Sequence, residues 1–384
     1  MPGVIIIEGH VQGLSNVRSI GEMGIPVIVV DRNNCIARYS KYCKAFFKCP
    51  PFYSDEFAAF LINLAKNENL KDWLLIPSND HAVHTLSKHK EKIQAIYKTF
   101  VPDFNELPNI YDKKKLLDIA SKNGVSIPRT VVFQNPSEKH FNEQEFPIMT
   151  KGRNGLTFYK KTGKKAFISK NPAELEIQLE ALSKKIPIQN CLNQEVIPYS
   201  SEHKTISFTC FSVNGEIKSQ WSGVKLREHP LRFGTATYTM SIDSSPFQNQ
   251  SMILIKALNY SGVCEIEYLY DERSNEYKLI EINPRTWLWV GLAKACGIDY
   301  AKMMYAHAHN QPIKYPNTYP TEKKWINHIT DLPFSIKGTL KREYSVYQVL
   351  KSYCTKREFA IFKARDPLPF LSFIFLLPLL IIKR

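Results

Sequence analysis

The sequence predicts a small doubly wound α/β sheet followed by a larger unit of mixed α+β character. Three observations carry this. Val4–Ile7 is a β-branched run followed by Gly9 and Gly13, a helix-like stretch over residues 15–23, and an apolar strand over residues 25–31 that ends in Asp31. Strand, glycine-bearing turn, helix and strand in that order open a parallel sheet. A further helix pattern over 57–67 and strand Leu74–Pro77, with Ser78-Asn79-Asp80 as a helix N-cap signal, complete a domain of about 105 residues. From residue 192 onward the pattern turns strand-rich, ending in a hairpin whose arms are 263–270 and 277–282.

The elements between follow local rules. Asp112 caps a helix over 113–123, ended by Gly124 with Pro128 beyond. Residues 146–150 read as a strand ending at Lys151 and leading into a glycine-bearing loop. Residues 172–182 and 251–259 read as helices, and 192–197, 205–213 and 217–221 as strands. A short helix over Val290–Ala295 ends at Gly297.

A chain of 384 residues is too long for one core, so two or three packed units are expected. Hydrophobic residues at 44% and charged residues at 23% exclude a disordered chain. The net charge of +15 suits nucleic acid, an anionic membrane or phosphate-bearing substrates. The positive charge is spread along the chain without interleaved aromatics, so nucleic acid is not expected as a partner. None of the eight cysteines forms a CxxC pair, and the spacing of Cys35, Cys43 and Cys49 matches no common zinc pattern. Reduced thiols in a cytoplasmic protein are the expectation. Val4–Ile7 lacks the flanks of a signal peptide.

The hairpin carries the strongest chemical signal. Glu267 and Glu281 fall on neighbouring strands, and Asn283 and Arg285 follow Glu281 at two-residue steps, hence on one face. Two carboxylates and an amide oxygen suit a hard cation such as Mg²⁺. Arg285 adds a planar cation for phosphate or carboxylate oxygens. The plainer alternative is an exposed hairpin with solvated charges, and the apolar flanks 279–280 and 287–289 argue against it. Lys151 at a strand end and Lys113 in a first helical turn can reach phosphates, although each alone reads as a surface lysine. Residues 193–198 are strand-like with one polar side. His81, His84, His89, His307 and His309 show no spacing with carboxylates that marks a site.

The order of these pieces resembles the ATP-grasp superfamily, and especially its carboxylate–amine ligase branch, which includes D-aspartate ligase-like proteins. The resemblance runs over residues 4–310 and is most specific at Glu281-Ile282-Asn283-Pro284-Arg285. It implies a Rossmann-like pre-ATP-grasp domain over 1–105 and a two-subdomain ATP-grasp unit over 106–310, divided near 191, with a basic and apolar extension over 311–384. It implies ATP with Mg²⁺, or Mn²⁺, as cofactors. Lys113 and Lys151 would contact the nucleotide phosphates. Glu195, Val196 and Ile197 would line the adenine hinge, with Glu202 at the ribose. Glu267, Glu281 and Asn283 would hold the metal. Arg285, Lys225 and Arg227 would serve the transferring group. The loop after Lys151 is less glycine-rich than in biotin carboxylase-like members, which shifts phosphate closure to Lys164 or Lys165.

The activity so implied is ATP-dependent joining of a carboxylate to an amine, with an amino acid added to a cell-envelope or polysaccharide precursor as one form. A carboxylase or carbamoyl-phosphate-type enzyme and a non-catalytic nucleotide-binding scaffold are the alternatives. Residues 368–382 are apolar but shorter than the ~20 residues of a spanning helix and contain Pro369 and Pro378. With the basic stretch before it, residues 366–384 are expected to make a peripheral contact with the inner membrane face, against the alternative of packing on protein. Substrates would then be small-molecule or lipid-linked carboxylates and amines, and a homodimer is the default assembly.

Overall fold

Buried apolar runs set the first sheet. In the computed structural model, which describes residues 1–198, 205–229 and 234–374, β1 (Val4–Ile7), β2 (Val27–Asp31), β3 (Cys43–Lys48) and β4 (Leu74–Pro77) lie parallel in the order β3-β2-β1-β4. Every residue of β1 and β2 is buried, as expected of a parallel sheet covered on both faces. The first helix spans Val11–Gly21, so it starts before the predicted residue 15 and takes in Gly13. A Cβ on Gly13 would lie 2.1 Å from the Glu8 carbonyl oxygen, so this glycine lets helix and strand end meet. β3 carries no clear sequence signal because it is a half-buried edge strand with Lys44 and Lys48.

A second, antiparallel sheet contains β5 (Thr130–Val131), β6 (Ile148–Gly152), β7 (Ala166–Ser169) and β8 (Cys191–Glu195), in the order β5-β8-β6-β7. Helices Gly155–Thr162 and Pro172–Ser183 bury Phe158, Leu175 and Leu179 in the same core as Ile148. The expected loop after Lys151 is therefore only three residues long before a helix begins. Asn154 caps that helix by accepting from the Thr157 N–H, and Gly163 closes it at φ +73°.

The third sheet has seven strands: β9 (Ile206–Val213), β10 (Glu216–His229), β11 (Thr235–Ser241), β12 (Gly262–Asp271), β13 (Glu276–Asn283), β14 (Lys324–Ile326) and β15 (Glu358–Phe359). Their order is β13-β12-β9-β10-β11-β14-β15. The expected 263–270 and 277–282 arms are β12 and β13. The strand expected at 217–221 continues through Lys225 and Arg227 as β10. Gly223 hid that continuation: a Cβ there would lie 2.4 Å from both the Trp221 and Trp289 rings. Trp221, Trp287 and Trp289 form a buried cluster, so the bulky segment after Arg285 is core.

Beyond β14, helices His328–Leu340 and Val346–Cys354 and a helical segment at 368–374 form a C-terminal layer. Asp366 pins this layer to the helix and loop that flank the first sheet. It accepts from Arg18 Nε at 2.8 Å, Ser40 Oγ at 2.8 Å and the Lys41 N–H at 2.9 Å. The expected apolar tail is described only to Ile374, where Phe373 is buried and Leu368, Leu371 and Ile374 are exposed. Residues 375–384 lie outside the described residues. Among the described residues no helix is long and apolar enough to cross a membrane.

Candidate active site

Strand register builds the site. Glu281 of β13 lies opposite Glu267 of β12, and Glu265 opposite Asn283. Glu267 in turn lies opposite Ser207 of β9, and on the next strand Lys225 reaches back to place its ammonium 3.0 Å from Glu267 Oε1. Strand alternation thus gathers Lys225, Ser207, Glu265, Glu267, Glu281 and Asn283 onto one face.

Two lysines from other elements meet this face. Lys113 opens the helix Lys113–Lys122, capped by the Asp112 side chain, and its ammonium contacts the Glu281 carboxylate. Its backbone N–H donates to the Arg153 carbonyl at 3.0 Å, while the Arg153 fork grips Asp112 with Nε 3.0 Å from Oδ1 and Nη2 2.6 Å from Oδ2. The helix start is thereby tied to the segment that follows Lys151. Lys151, on β6, is 9% exposed.

The charges interlock. Lys113 above all, with Lys151 and Lys225, pulls the Glu281 carboxyl down to about 2, against the opposing effect of burial. Burial, reinforced by Lys113, pushes Lys151 down to about 7, and Glu281 only partly offsets this. Burial opposes the charge on Lys225, but Glu267 and Glu265 outweigh it and hold the ammonium above its ordinary value.

Arg285 reaches out of the third sheet to the first. Its Nε and Nη2 lie 2.9 and 3.1 Å from the two oxygens of Asp80, at the N-terminus of the helix Asp80–Lys88. Burial works against the guanidinium charge, and Asp80 more than restores it. Glu8, at the end of β1, sits close by with φ +72°, an uncommon conformation for a residue with a side chain. Burial first, then Asp31, raises its carboxyl to about 7.

The other expected site residues divide. Glu195 ends β8, and its carboxylate is taken by Lys278 Nζ at 2.8 Å, Arg273 Nη2 at 2.7 Å and the Arg129 N–H at 2.8 Å. It ties the second sheet to the β12–β13 hairpin rather than standing open. Val196 and Ile197 follow it, half-buried, with the Val196 N–H on the Pro147 carbonyl. Glu202 lies outside the described residues. Arg227 is not brought to the centre. Its Nε and Nη2 lie 2.9 and 2.6 Å from buried Asp331, which also accepts from Thr237 and Tyr353. Lys164 and Lys165 lie between the helix Gly155–Thr162 and β7, and the Lys164 ammonium sits 5.1 Å from the Phe167 ring centroid.

Three residues in or beside this centre were missed. Glu265 accepts from Ser207 Oγ at 2.8 Å and from Asn283 Nδ2 at 3.1 Å. Its two-residue step before Glu267 was the available signal. In the sequence Asp80 reads only as part of a helix cap, and nothing singles out Glu8. Both lie at the carboxyl ends of parallel strands, where ligands of such sheets gather.

The donor set fits Mg²⁺. Glu267, Glu281 and the Asn283 amide supply oxygen alone, with two negative charges, and leave coordination positions for phosphate oxygens. Among the described residues no group of three or more His, Cys, Asp or Glu is placed to hold a metal ion, so the fit here rests on two carboxylates and an amide.

The same segment matches a known family model. Residues 240–315, which hold both acids, Asn283 and Arg285, match the family described as "Carbamoyl-phosphate synthase L chain, ATP binding domain". The D-aspartate ligase of Enterococcus faecium (strain Aus0004) is 22% identical over 265 residues, which are 65% of this chain and 62% of that ligase. Biotin carboxylase of Campylobacter jejuni superposes with a TM-score of 0.67 at 16% identity, covering 84% of this chain and 74% of that one. An L-amino acid ligase from Bacillus licheniformis gives 0.61 at 14% identity, over 82% and 75%. The chain shares the ATP-grasp fold of these structures. The ATP-grasp fold accounts for the layout described above, with a smaller antiparallel sheet bearing Lys151 set over a larger one bearing the acids. The chain spans less than two thirds of the D-aspartate ligase it matches.

Proposed function

We propose that the chain is an ATP-dependent ligase that activates a carboxylate as an acyl phosphate and joins it to an amine, releasing ADP. The convergence of Lys113, Lys151 and Lys225 on the Glu267–Glu281 pair, beside Asn283 and Arg285, is the observation that carries this reading. Phosphoryl transfer asks the protein for position and charge neutralisation rather than a nucleophile. Lys113 and Lys151 hold the nucleotide phosphates. Val196 and Ile197 offer main chain to the adenine edge. Glu267, Glu281 and Asn283 hold Mg²⁺, or Mn²⁺, which when bound would neutralise phosphate charge. Arg285 faces the transferring group and the acyl phosphate. Glu265 accepts from the Asn283 amide nitrogen, which leaves the amide oxygen on the Arg285 side, where it would be available to the metal.

The similarity to a D-aspartate ligase supports an amino acid as one substrate and a cell-envelope or polysaccharide precursor as the other. A cytoplasmic enzyme with a peripheral contact through residues 366–384, working as a homodimer, accords with such substrates. The test is an ADP-release screen against amino acids paired with uronic and peptidyl carboxylates. At least one pair should give ATP-dependent ADP release that Glu281→Gln abolishes. Near-wild-type turnover in that variant would sink the metal assignment, and no turnover with any pair would sink the ligase reading.

A further inference from the structure

The C-terminal layer buries charge inward and turns aliphatic side chains outward. Asp331, Ser335 and Gly338 face inward along His328–Leu340, while Leu332, Ile336 and Leu340 lie on the opposite stripe, spaced four residues apart and exposed. Val346, Tyr347 and Leu350 are exposed on Val346–Cys354, and Leu368, Leu371 and Ile374 on the last helical segment. Leu340 at 81%, Tyr347 at 69% and Leu350 at 61% stand further into solvent than structural side chains normally do.

The three segments form one layer. Asp331 joins the first two: it accepts from Tyr353 Oη at 2.8 Å, and Arg227 bridges it to Ser352 Oγ at 2.9 Å. The His328 ring lies 5.3 Å from the Phe370 ring, which joins the first to the third. Eight Lys or Arg stand against two acids between Lys337 and Arg365. Lys337, Lys341, Arg342, Lys351 and Lys356 are exposed. The sequence continues past Ile374 as an apolar run to Ile382.

We propose that this outward face docks on an anionic lipid surface. Aliphatic stripes with interspersed cations match an acyl boundary beneath anionic headgroups, and the excess of positive charge disfavours a second copy of the same face. The proposal goes beyond the tail contact above by assigning the docking to folded helices, and it does not depend on ligase chemistry.

Vesicle flotation of the full chain tests it. Wild type should float with phosphatidylcholine vesicles containing phosphatidylglycerol, not with phosphatidylcholine alone, and binding should weaken as salt shortens the screening length. The combined variant Ile336→Glu, Leu340→Glu, Tyr347→Glu, Leu350→Glu should partition at least about tenfold less, with thermal stability and ADP release unchanged. If that variant unfolds, Lys337→Glu with Lys341→Glu and Lys351→Glu should give the same loss. The proposal fails if wild type does not float, or if the folded variant floats like wild type. It also fails if sedimentation shows a dimer, dispersed by the variant, that never binds vesicles. A chain ended after Ile374 should keep part of the binding; complete loss there, with none in the glutamate variant, would assign docking to the tail alone.

Discussion

Arg285 and Asp80, 205 residues apart, are joined side by side through both oxygens of the carboxylate. The pair ties the arginine proposed to meet the transferring group to the helix that follows the first sheet's last strand. Asp80→Asn should keep the fold and loosen that tie. We expect kcat to fall roughly tenfold to a hundredfold with a smaller change in the KM for ATP, and Asp80→Glu to recover part of it. An unchanged kcat in Asp80→Asn would remove that helix from the chemistry.

Glu265 accepts from the Asn283 amide nitrogen while Arg285 Nη2 donates to its oxygen, so the two together select one orientation of that amide. Glu265→Gln offers a donor as well and permits the flipped amide. The concentration of Mg²⁺ giving half-maximal ADP release should rise about tenfold in Glu265→Gln, with kcat at saturating metal falling less. A purely structural glutamate would instead lower thermal stability and leave the metal titration in place.

Arg227 was expected in the centre and is found in the Asp331 network. Arg227→Met leaves a buried carboxylate with two hydroxyl donors and no counter-charge. A loss of about 3–5 kcal/mol follows from removing one member of a buried pair. Denaturant unfolding should read that loss, while ADP release per folded molecule stays within about twofold of wild type. A selective loss of kcat with stability intact would return Arg227 to the chemistry.

Glu8 gives the protein a pH signature. Its carboxyl is raised from 4.5 to about 7, chiefly by burial, so between those values the native state holds more protons than the unfolded chain. The resulting stabilisation is fully present below 4.5 and is lost as pH rises through about 7. Glu8→Gln removes it. Relative to that variant, wild type should lose on the order of 2 kcal/mol between about pH 5 and pH 8. Parallel stability profiles would place the Glu8 carboxyl in water.

Much of this was legible in the sequence where a short-range rule applies. The Glu267–Glu281–Asn283 face follows from two-residue alternation in a hairpin, and Lys113 from the cap at Asp112. Even the helix after Lys151 is marked by Asn154 and Gly163, although the glycines at 152 and 155 read equally as a loop. What stayed hidden depends on packing between distant segments. No spacing links Arg285 to Asp80 or Arg227 to Asp331, since the partners come from different layers. β14 and β15 are three and two residues long and exist because a sheet edge is there to pair with.

That edge has a consequence for reach. One hydrogen-bonded ladder runs from β13, which holds Glu281, to β15 in the C-terminal layer. Six interstrand steps separate them, about 29 Å at the usual spacing. Were the proposed aliphatic face to rest on a bilayer, a substrate anchored in that bilayer would have to carry its reacting group on a stalk of up to comparable length, and the length of the tether would then select substrates alongside the chemistry at its end.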